Sequence, residues 1–453
     1  MLVDAPVLDM LSRYRKHGGE RWHTPGHKGV TPVHGEFLDW ANDITEIEDM
    51  HATPNPVELS ERLMASAYGA DRTWYSVQGA TLPVMAGILA AFPFGSTLLI
   101  DRAIHRSVLG ALIIGAYKVR WLYPDFIGAG LPLPLKNFPS DLSGVDGVVL
   151  TRPTYDGLAA PLTEIVQAAH QQGLIVVVDE AHGSHWQGPH YPASALAIGA
   201  DLVAHGVHKN EASLTQTGLL HLKGHRVSAS AVERWWRVLQ TTSPSYLLLG
   251  ALDRLQWERR QPERCQTWDS LAVRARDLWI QCAQSRIALL QPWAAARHWE
   301  VDPARLTIMG QGLRVAQVLA PVGAVEKVTA HSCTLILSPQ QSLAPLASAL
   351  ARLPDTHDPK ALRVLSYPRL KAAMGVREAF EKPGHWVPLA HAAGEVAHDP
   401  LVPYPPGIPA AMPGELLTPE LTQWLSEWVQ EAAGTLQGIK RLDGQLCVWV
   451  VRS

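Results

Sequence analysis

The sequence has few cysteines and no excess of charge of either sign. Its 453 residues include four scattered cysteines without a CxxC pair, and no HExxH pattern occurs among its histidines. These absences argue against a metal site and a disulfide framework, so we expect no metal and the reduced thiols of a cytoplasmic protein. The net charge of −3 gives no basic field for nucleic acid or an anionic membrane surface.

Long apolar segments are also scarce. Residues 1–20 mix acidic and basic side chains and lack the apolar core of a signal peptide. The uncharged residues 81–100 are long enough to cross a membrane, but Pro83, Pro93 and Gly95 interrupt them. We therefore expect a buried helix, a turn and a buried strand there, in a globular protein that binds neither membranes nor nucleic acid.

The middle of the chain alternates between strand-like and helix-like patterns. This alternation predicts an α/β fold with a mostly parallel, doubly wound sheet. The chain is long enough for more than one domain. We expect an N-terminal arm with little regular structure at 1–55, a large domain at 56–301 and a smaller α+β C-terminal domain at 302–453.

Residues 173–222 carry the clearest chemical signal. Five consecutive apolar residues, mostly β-branched, precede Asp179, and a second apolar run precedes His205, His208 and Lys209. Both runs predict buried strands, and α/β sheets bind ligands at the carboxyl ends of their strands. Each residue alone is more simply a helix cap or a surface lysine. Together they indicate pyridoxal 5′-phosphate (PLP), with Lys209 forming a Schiff base and Asp179 holding the pyridine nitrogen protonated.

Smaller signals fit the same cofactor. Gly79, Ala80 and Thr81 open a predicted helix, whose backbone N–H groups and positive end suit a phosphate. This pattern is weak by itself, because many helices begin this way. Ala181 is small enough to lie under the cofactor ring, and the role of the adjacent His182 is left open.

Four separated motifs resemble those of the ornithine/lysine/arginine decarboxylase family. They are residues 24–29 (TPGHKG), His208-Lys209 followed by 214–216 (LTQ), residues 242–246 (TSPSY), and residues 403–409 (PYPPGIP) with 413–415 (PGE). Residues 43–46 (DITE) add to the likeness. The resemblance implies the PLP-dependent transferase fold type I and decarboxylation of lysine, arginine or ornithine. It also implies a homodimer or higher homo-oligomer with sites at the two-fold interface.

The resemblance also implies roles for single residues. His105 would stack on the open face of the ring, and His208 would serve the phosphate or proton transfer. Glu415 would bind the cation at the far end of the substrate, although an acid there also suits the start of a helix. The family usually has a hydroxyl residue at Ala80 and a serine at Gly206, and both hydroxyls are missing here.

Two other interpretations remain. One is a different PLP reaction on an amino acid, such as transamination or elimination. The other is a catalytically silent relative, for which the missing hydroxyls at Ala80 and Gly206 are the support.

Overall fold

A computed structural model describes residues 4–17, 55–127, 131–135, 138–354, 356, 364–366, 369–404, 407–431 and 435–452. The motifs at residues 24–29 and 43–46 lie outside the described residues, as does most of the expected N-terminal arm.

The helices of the described residues are numbered in chain order. They are α1 (Pro6–His17), α2 (Pro56–Tyr68), α3 (Thr81–Ala91), α4 (Arg106–Gly115), α5 (Leu162–Gln171), α6 (Ala195–Ile198), α7 (Ala229–Leu239), α8 (Tyr246–Arg259), α9 (Pro262–Gln284), α10 (Leu290–Ala295), α11 (Gly312–Leu319), α12 (Ala344–Leu350), α13 (Val376–Glu381) and α14 (Pro419–Glu431).

The strands are numbered in the same way. They are β1 (Arg72–Ser76), β2 (Thr97–Asp101), β3 (Lys118–Leu122), β4 (Asp125–Ile127), β5 (Leu131–Pro132), β6 (Gly147–Thr151), β7 (Leu158–Ala159), β8 (Ile175–Asp179), β9 (Leu202–His205), β10 (Gly218–Leu222), β11 (Glu300–Val301), β12 (Arg305–Met309), β13 (Lys327–Val328), β14 (Ser332–Ile336), β15 (Val364–Ser366), β16 (Gly384–Pro388), β17 (Val402–Tyr404), β18 (Thr435–Gln437), β19 (Ile439–Leu442) and β20 (Gln445–Val451).

The chain divides into two compact units. The first comprises Met1–Ala91, Ile175–Trp186 and Ala193–Gln266. Its strands follow the order β1-β10-β9-β8, in which β8 and β9 are parallel and the other neighbours antiparallel. Helix α3 packs on β8, β9 and β10. The parallel pair sets the ends of β8 and β9 at the same edge.

The first helix corrects one expectation. We expected little regular structure in the N-terminal arm, but α1 forms a helix whose Val7, Met10 and Leu11 are buried. Its first turn is held by Asp253, whose Oδ2 accepts the backbone N–H groups of Val7 at 3.1 Å and Leu8 at 3.0 Å. A distant carboxylate therefore supplies the cap that the local sequence lacks.

The second unit comprises Phe92–Leu174, Gln187–Pro192 and Thr267–Ser453. Its three parallel strands follow the order β6-β2-β3, and α4 connects β2 to β3. Small antiparallel sheets form the later part, in the orders β12-β14-β13 and β16-β20-β19. The helix α14 contributes Leu421 and Leu425 to a separate apolar core with Val448 and Val450 of β20.

The local predictions for the uncharged segment are confirmed. Residues 81–100 form α3, a turn and the start of β2. Among the residues that the structure describes, no helix has the length and apolar character needed to span a membrane.

Candidate active site

The carboxyl end of β8 presents the predicted partner of the cofactor ring. Asp179 is 5% exposed and pairs in register with Ala204 of the parallel strand β9. Its Oδ1 accepts a hydrogen bond from the backbone N–H of Ala181 at 3.2 Å, which fixes a tight turn directly after the strand. Asp179 and Ala181 therefore lie at the edge where parallel sheets present ligand-binding groups.

Lys209 lies at the end of a short 3-10 turn, Val207–Lys209, directly after β9. Its Nζ is 3.1 Å from Nε2 of His182, which follows β8. The next residue, Asn210, donates from Nδ2 to the His182 carbonyl oxygen at 2.5 Å. The structure thus brings the Lys209 amine to the segment that follows Asp179, and it gives His182 a contact that the sequence did not indicate.

His208 faces a different part of the site from its neighbour Lys209. Its Nδ1 lies 2.8 Å from the carbonyl oxygen of Thr217, so Nδ1 carries the proton and donates it. The ring also lies next to the Gly79 turn, where a Cβ on Gly79 would be 3.7 Å from its Cε1. Burial lowers the pKa of His208 below its usual value, and Lys209 adds to the lowering. The ring is therefore neutral near pH 7.

The turn before α3 is held in place by hydrogen bonds to the backbone of Gly79. Gly79 has a φ of +65°, and its N–H donates to the Gln216 carbonyl oxygen at 2.7 Å. Its own carbonyl oxygen accepts from Ser76 Oγ at 2.8 Å. A Cβ on Gly218 would lie 2.4 Å from that oxygen, so Gly218 must remain glycine for the turn to pack on β10. The helix that follows begins at Thr81, and the first N–H groups of a helix have no partner within it.

A side chain at Gly206 would lie close to Lys209. A Cβ at this position would lie 3.2 Å from the Ala181 carbonyl oxygen and 3.3 Å from both Cδ and Cε of Lys209. These distances are shorter than ordinary van der Waals contacts, so a side chain would crowd the stem of the lysine. Glycine at position 206 avoids this close contact with Lys209, but it supplies no hydroxyl group.

A buried ionic network anchors the chain directly after Lys209. Glu211 accepts hydrogen bonds from Arg259 at 3.0 Å and from Arg264. The guanidinium carbon of Arg259 lies 3.6 Å from the centroid of the Tyr68 ring, and Arg259 also donates to the Ser184 carbonyl oxygen at 3.0 Å. No local pattern indicates this network, because its members come from four separate segments.

A second buried network crosses the four strands of the first unit. His221 Nδ1 lies 2.8 Å from Thr73 Oγ1, and its Nε2 lies 3.1 Å from Nδ1 of His205. His205 Nε2 in turn lies 2.9 Å from Glu180 Oε2. Burial lowers the pKa of His221 well below its usual value, so this ring is neutral. Each of these atoms has a hydrogen-bond partner if Thr73 donates to His221, His221 to His205, and His205 to Glu180. The network links the ends of the strands that precede the Asp179 and Lys209 segments.

The second unit holds His105, which we expected to stack on the ring. This residue is exposed and is the N-cap of α4, where its Nδ1 accepts from the Ser107 N–H at 3.2 Å. The same nitrogen lies 2.9 Å from Ser107 Oγ. Capping gives His105 a structural role, and the stacking role stays a prediction.

Glu415 forms a bidentate ion pair with Arg102 in the second unit. Arg102 donates to Oε1 at 2.8 Å and to Oε2 at 2.7 Å, and the Met412 N–H donates to Oε2 at 2.8 Å. The pair is buried, with side-chain exposures of 0% and 3%. The guanidinium carbon of Arg102 lies 4.7 Å from the centroid of the Trp121 ring. Two charges are thus compensated in the interior.

The sequence did not indicate this pairing of Glu415 with Arg102. The carboxylate is buried, so it is not an exposed charge at a helix end. Binding of a substrate cation stays a prediction, and Glu415 would then share its charge with Arg102. The sequence could not name this partner, since the two residues are 313 positions apart.

Among the described residues, no group of three or more histidine, cysteine, aspartate or glutamate side chains is placed to hold a metal ion.

Two family models match the chain. The model described as the Orn/Lys/Arg decarboxylase major domain covers residues 5–309, and that of the C-terminal domain covers residues 357–451.

Comparisons with individual proteins find decarboxylases of the same kind. An arginine decarboxylase of Bacillus subtilis is 30% identical over 460 residues and covers 92% of each chain. The constitutive lysine decarboxylase of Escherichia coli is 23% identical, over 92% of this chain and 76% of that protein. The crystal structure of the Francisella novicida lysine decarboxylase superposes on 100% of this chain, with a TM-score of 0.84. The match covers 81% of that protein at 18% sequence identity. This likeness confirms the expected fold. The chain therefore belongs to the Orn/Lys/Arg decarboxylase family.

Proposed function

We propose that this protein decarboxylates a basic amino acid, with arginine as the first candidate, and uses PLP held by Lys209. The contact of Lys209 with His182 carries the proposal, because it brings the amine to the segment directly after Asp179, at neighbouring strand ends. Relatives named arginine decarboxylase are 28–30% identical to this chain, whereas the lysine decarboxylase of Escherichia coli is 23% identical. This difference is the support for proposing arginine before lysine and ornithine.

The residues present fit PLP. Gly79 has a positive φ, and its turn packs closely on Gly218. A Cβ on Gly218 would collide with the Gly79 carbonyl oxygen. The turn leads into α3, whose first N–H groups can donate to a phosphate. Gly206 leaves space beside the Lys209 stem, and Asp179 supplies a nearly buried carboxylate for a ring nitrogen. An amine, an acid and an anion-binding turn are the groups that this cofactor needs.

Each side chain then has a distinct task. Lys209 holds the cofactor covalently, and Asp179 favours the protonated ring nitrogen. Ala80 and Thr81 donate backbone N–H groups to the phosphate, and Gly79 shapes the turn, because its own N–H is bound to the Gln216 carbonyl oxygen. When bound, PLP supplies a ring that accepts the electron pair left behind as the substrate carboxylate departs as CO2.

Ala181 and two histidines, His208 and His105, have the remaining roles in the proposed site. Ala181 leaves room against one face of the ring. His208 is held by Thr217 beside the phosphate turn, so it serves the phosphate side of the cofactor. The family resemblance assigns His105 to the opposite face of the ring.

We also infer a homodimer, or a higher homo-oligomer built from such dimers. Support comes from residues 242–246, which resemble the family segment that crosses a two-fold interface, and from the frequency of isologous dimers among soluble oligomers. Light scattering at assay concentration checks this inference, and an active monomer would contradict it.

Purified protein with PLP provides the test of function. We expect CO2 and the matching amine from arginine at a higher kcat/KM than from lysine or ornithine. Lys209→Ala should lose the absorbance of bound PLP and lower turnover by orders of magnitude, whereas Lys382→Ala, at an exposed lysine directly after α13, should change neither. A preference for lysine would correct the substrate alone. Release of an oxo acid or of ammonia without CO2 would overturn decarboxylation, and failure to bind PLP would indicate a silent relative.

A further inference from the structure

Among the described residues, His182 has a ring nitrogen placed to exchange a proton with Lys209. Its Nε2 lies 3.1 Å from the lysine Nζ, which is hydrogen-bond distance. His208 is the sequence neighbour of the lysine, but its Nδ1 is engaged by the Thr217 carbonyl oxygen and its ring lies against the Gly79 turn. The two histidines therefore serve different ends of the site.

The backbone around this contact is tied on both sides. The Gly206 N–H donates to the Ala181 carbonyl oxygen at 3.2 Å, and Asn210 donates to the His182 carbonyl oxygen at 2.5 Å. The Asn210 amide also lies 2.9 Å from Nδ1 of His185. These contacts lie on either side of Lys209 in the chain, so the segments that carry the imidazole and the amine are held together.

A lysine amine cannot form a bond to carbon while it is an ammonium ion. It must first pass a proton to a nearby base. Imidazole is suited to this task, because its ordinary pKa lies near neutrality and it can return the proton as readily as it takes it.

We propose that His182 is a catalytic residue that takes a proton from Lys209 when the lysine joins the cofactor aldehyde and returns it as water leaves. The ammonium gives one proton to Nε2, and the neutral amine uses its electron pair to form the carbon–nitrogen bond. The aldehyde oxygen leaves as water with the proton from His182 and one from the amine, so the nitrogen keeps one proton and a positive charge. This inference rests on the proposed covalent role of Lys209.

The test uses the full-length apoprotein and PLP, and it measures the rate of cofactor capture rather than turnover. We expect His182→Ala to slow the appearance of lysine-bound PLP absorbance at pH 7 by about a hundredfold, the lower range for proton transfer by a positioned side chain. Added imidazole should restore part of the rate. His182→Gln keeps a hydrogen-bonding group but cannot carry the proton, so it should be equally slow and should not respond to imidazole.

The control is His225→Gln, at an exposed loop histidine, which should capture PLP at the wild-type rate. Circular dichroism and the unfolding midpoint verify that each variant is folded. If His182→Ala does not fold, His182→Gln still tests the proposal. Wild-type capture by the glutamine variant, or a slow alanine variant that imidazole does not restore, would overturn the role of His182. If borohydride instead fixes PLP on another lysine of the wild-type protein, both this inference and the proposed function fail.

Discussion

Arg102 and Glu415 form a two-point ion pair in the interior, with oxygen–nitrogen distances of 2.8 and 2.7 Å. Arg102 directly follows β2, and Glu415 lies four residues before α14. The two residues belong to the regions matched by the major-domain and C-terminal-domain models of the family. The pair therefore ties together two parts of the chain that are recognised as separate domains.

Removing one member of this pair should destabilise the fold. Glu415→Gln leaves the Arg102 guanidinium buried without a compensating charge, which typically costs about 3–5 kcal/mol. Urea unfolding monitored by circular dichroism measures the change. Glu381→Gln, which alters an exposed helical ion pair, should cost under about 0.5 kcal/mol. Equal stability of the two variants would show that the buried pair contributes nothing.

The same carboxylate tests substrate recognition. If Glu415 also binds the far cation of the substrate, Glu415→Gln should raise KM with a smaller change in kcat, because the contact lies away from the bond that breaks. The loss of a hydrogen bond to a charged group, roughly 1.5–3 kcal/mol, corresponds to about ten- to a hundredfold in kcat/KM.

Arg102→Gln provides the matched control for that measurement. It breaks the same ion pair but keeps the carboxylate, so it should raise KM less than Glu415→Gln does. Equal effects of the two variants on KM would show that Glu415 acts through its pairing with Arg102. A wild-type enzyme that prefers an uncharged amino acid would exclude a cation-binding role altogether.

Asp179→Ala should impair the chemical step more than cofactor binding. If Asp179 pairs with the ring nitrogen as proposed, its loss removes the group that favours the protonated form, and the ring becomes a poorer electron acceptor. We expect a large fall in kcat with PLP still bound, as measured by steady-state kinetics and by the absorbance of the bound cofactor. Asp71→Asn, at a half-exposed loop carboxylate, should leave kcat unchanged. Near-wild-type kcat for Asp179→Ala would remove this residue from the site.

Asp101 should make stability depend on pH. Burial raises the pKa of Asp101 to about 7, against a lowering by hydrogen bonds from the Ala103 and Thr151 backbone. Between about pH 4 and pH 7 the folded protein therefore holds a proton that the unfolded chain has released. The stability contributed by this group is complete below about pH 4 and is lost as the pH rises through 7.

Asp101→Asn removes this titration and keeps an uncharged acceptor for the Ala103 N–H. The variant should therefore lose less unfolding free energy than the wild type when the pH rises from 5 to 8. Urea unfolding at a series of pH values measures the difference, with Asp71→Asn as the exposed control. Parallel pH profiles of wild type and Asp101→Asn would contradict the raised pKa.

The elements around the site could be predicted because their signals are local. The apolar run before Asp179 forms β8, and the run before His205 begins β9. The helix α2 is capped at its end by Gly69, which adopts a φ of +70° that other residues rarely accept, and a glycine at a helix end is a local signal of this kind. Strand periodicity and helix caps depend on neighbours within a few residues, so one sequence is enough to read them.

Contacts between distant segments were decided by the tertiary structure alone. Asp253 caps α1 from a position far along the chain, and Arg102 meets Glu415 across 313 positions. The contact of His182 with Lys209, and the narrow space beside Gly206, exist because β8 and β9 bring their ends together. Local pattern determines which residues form an element, whereas the partner of a buried charge or a reactive amine depends on how the elements pack.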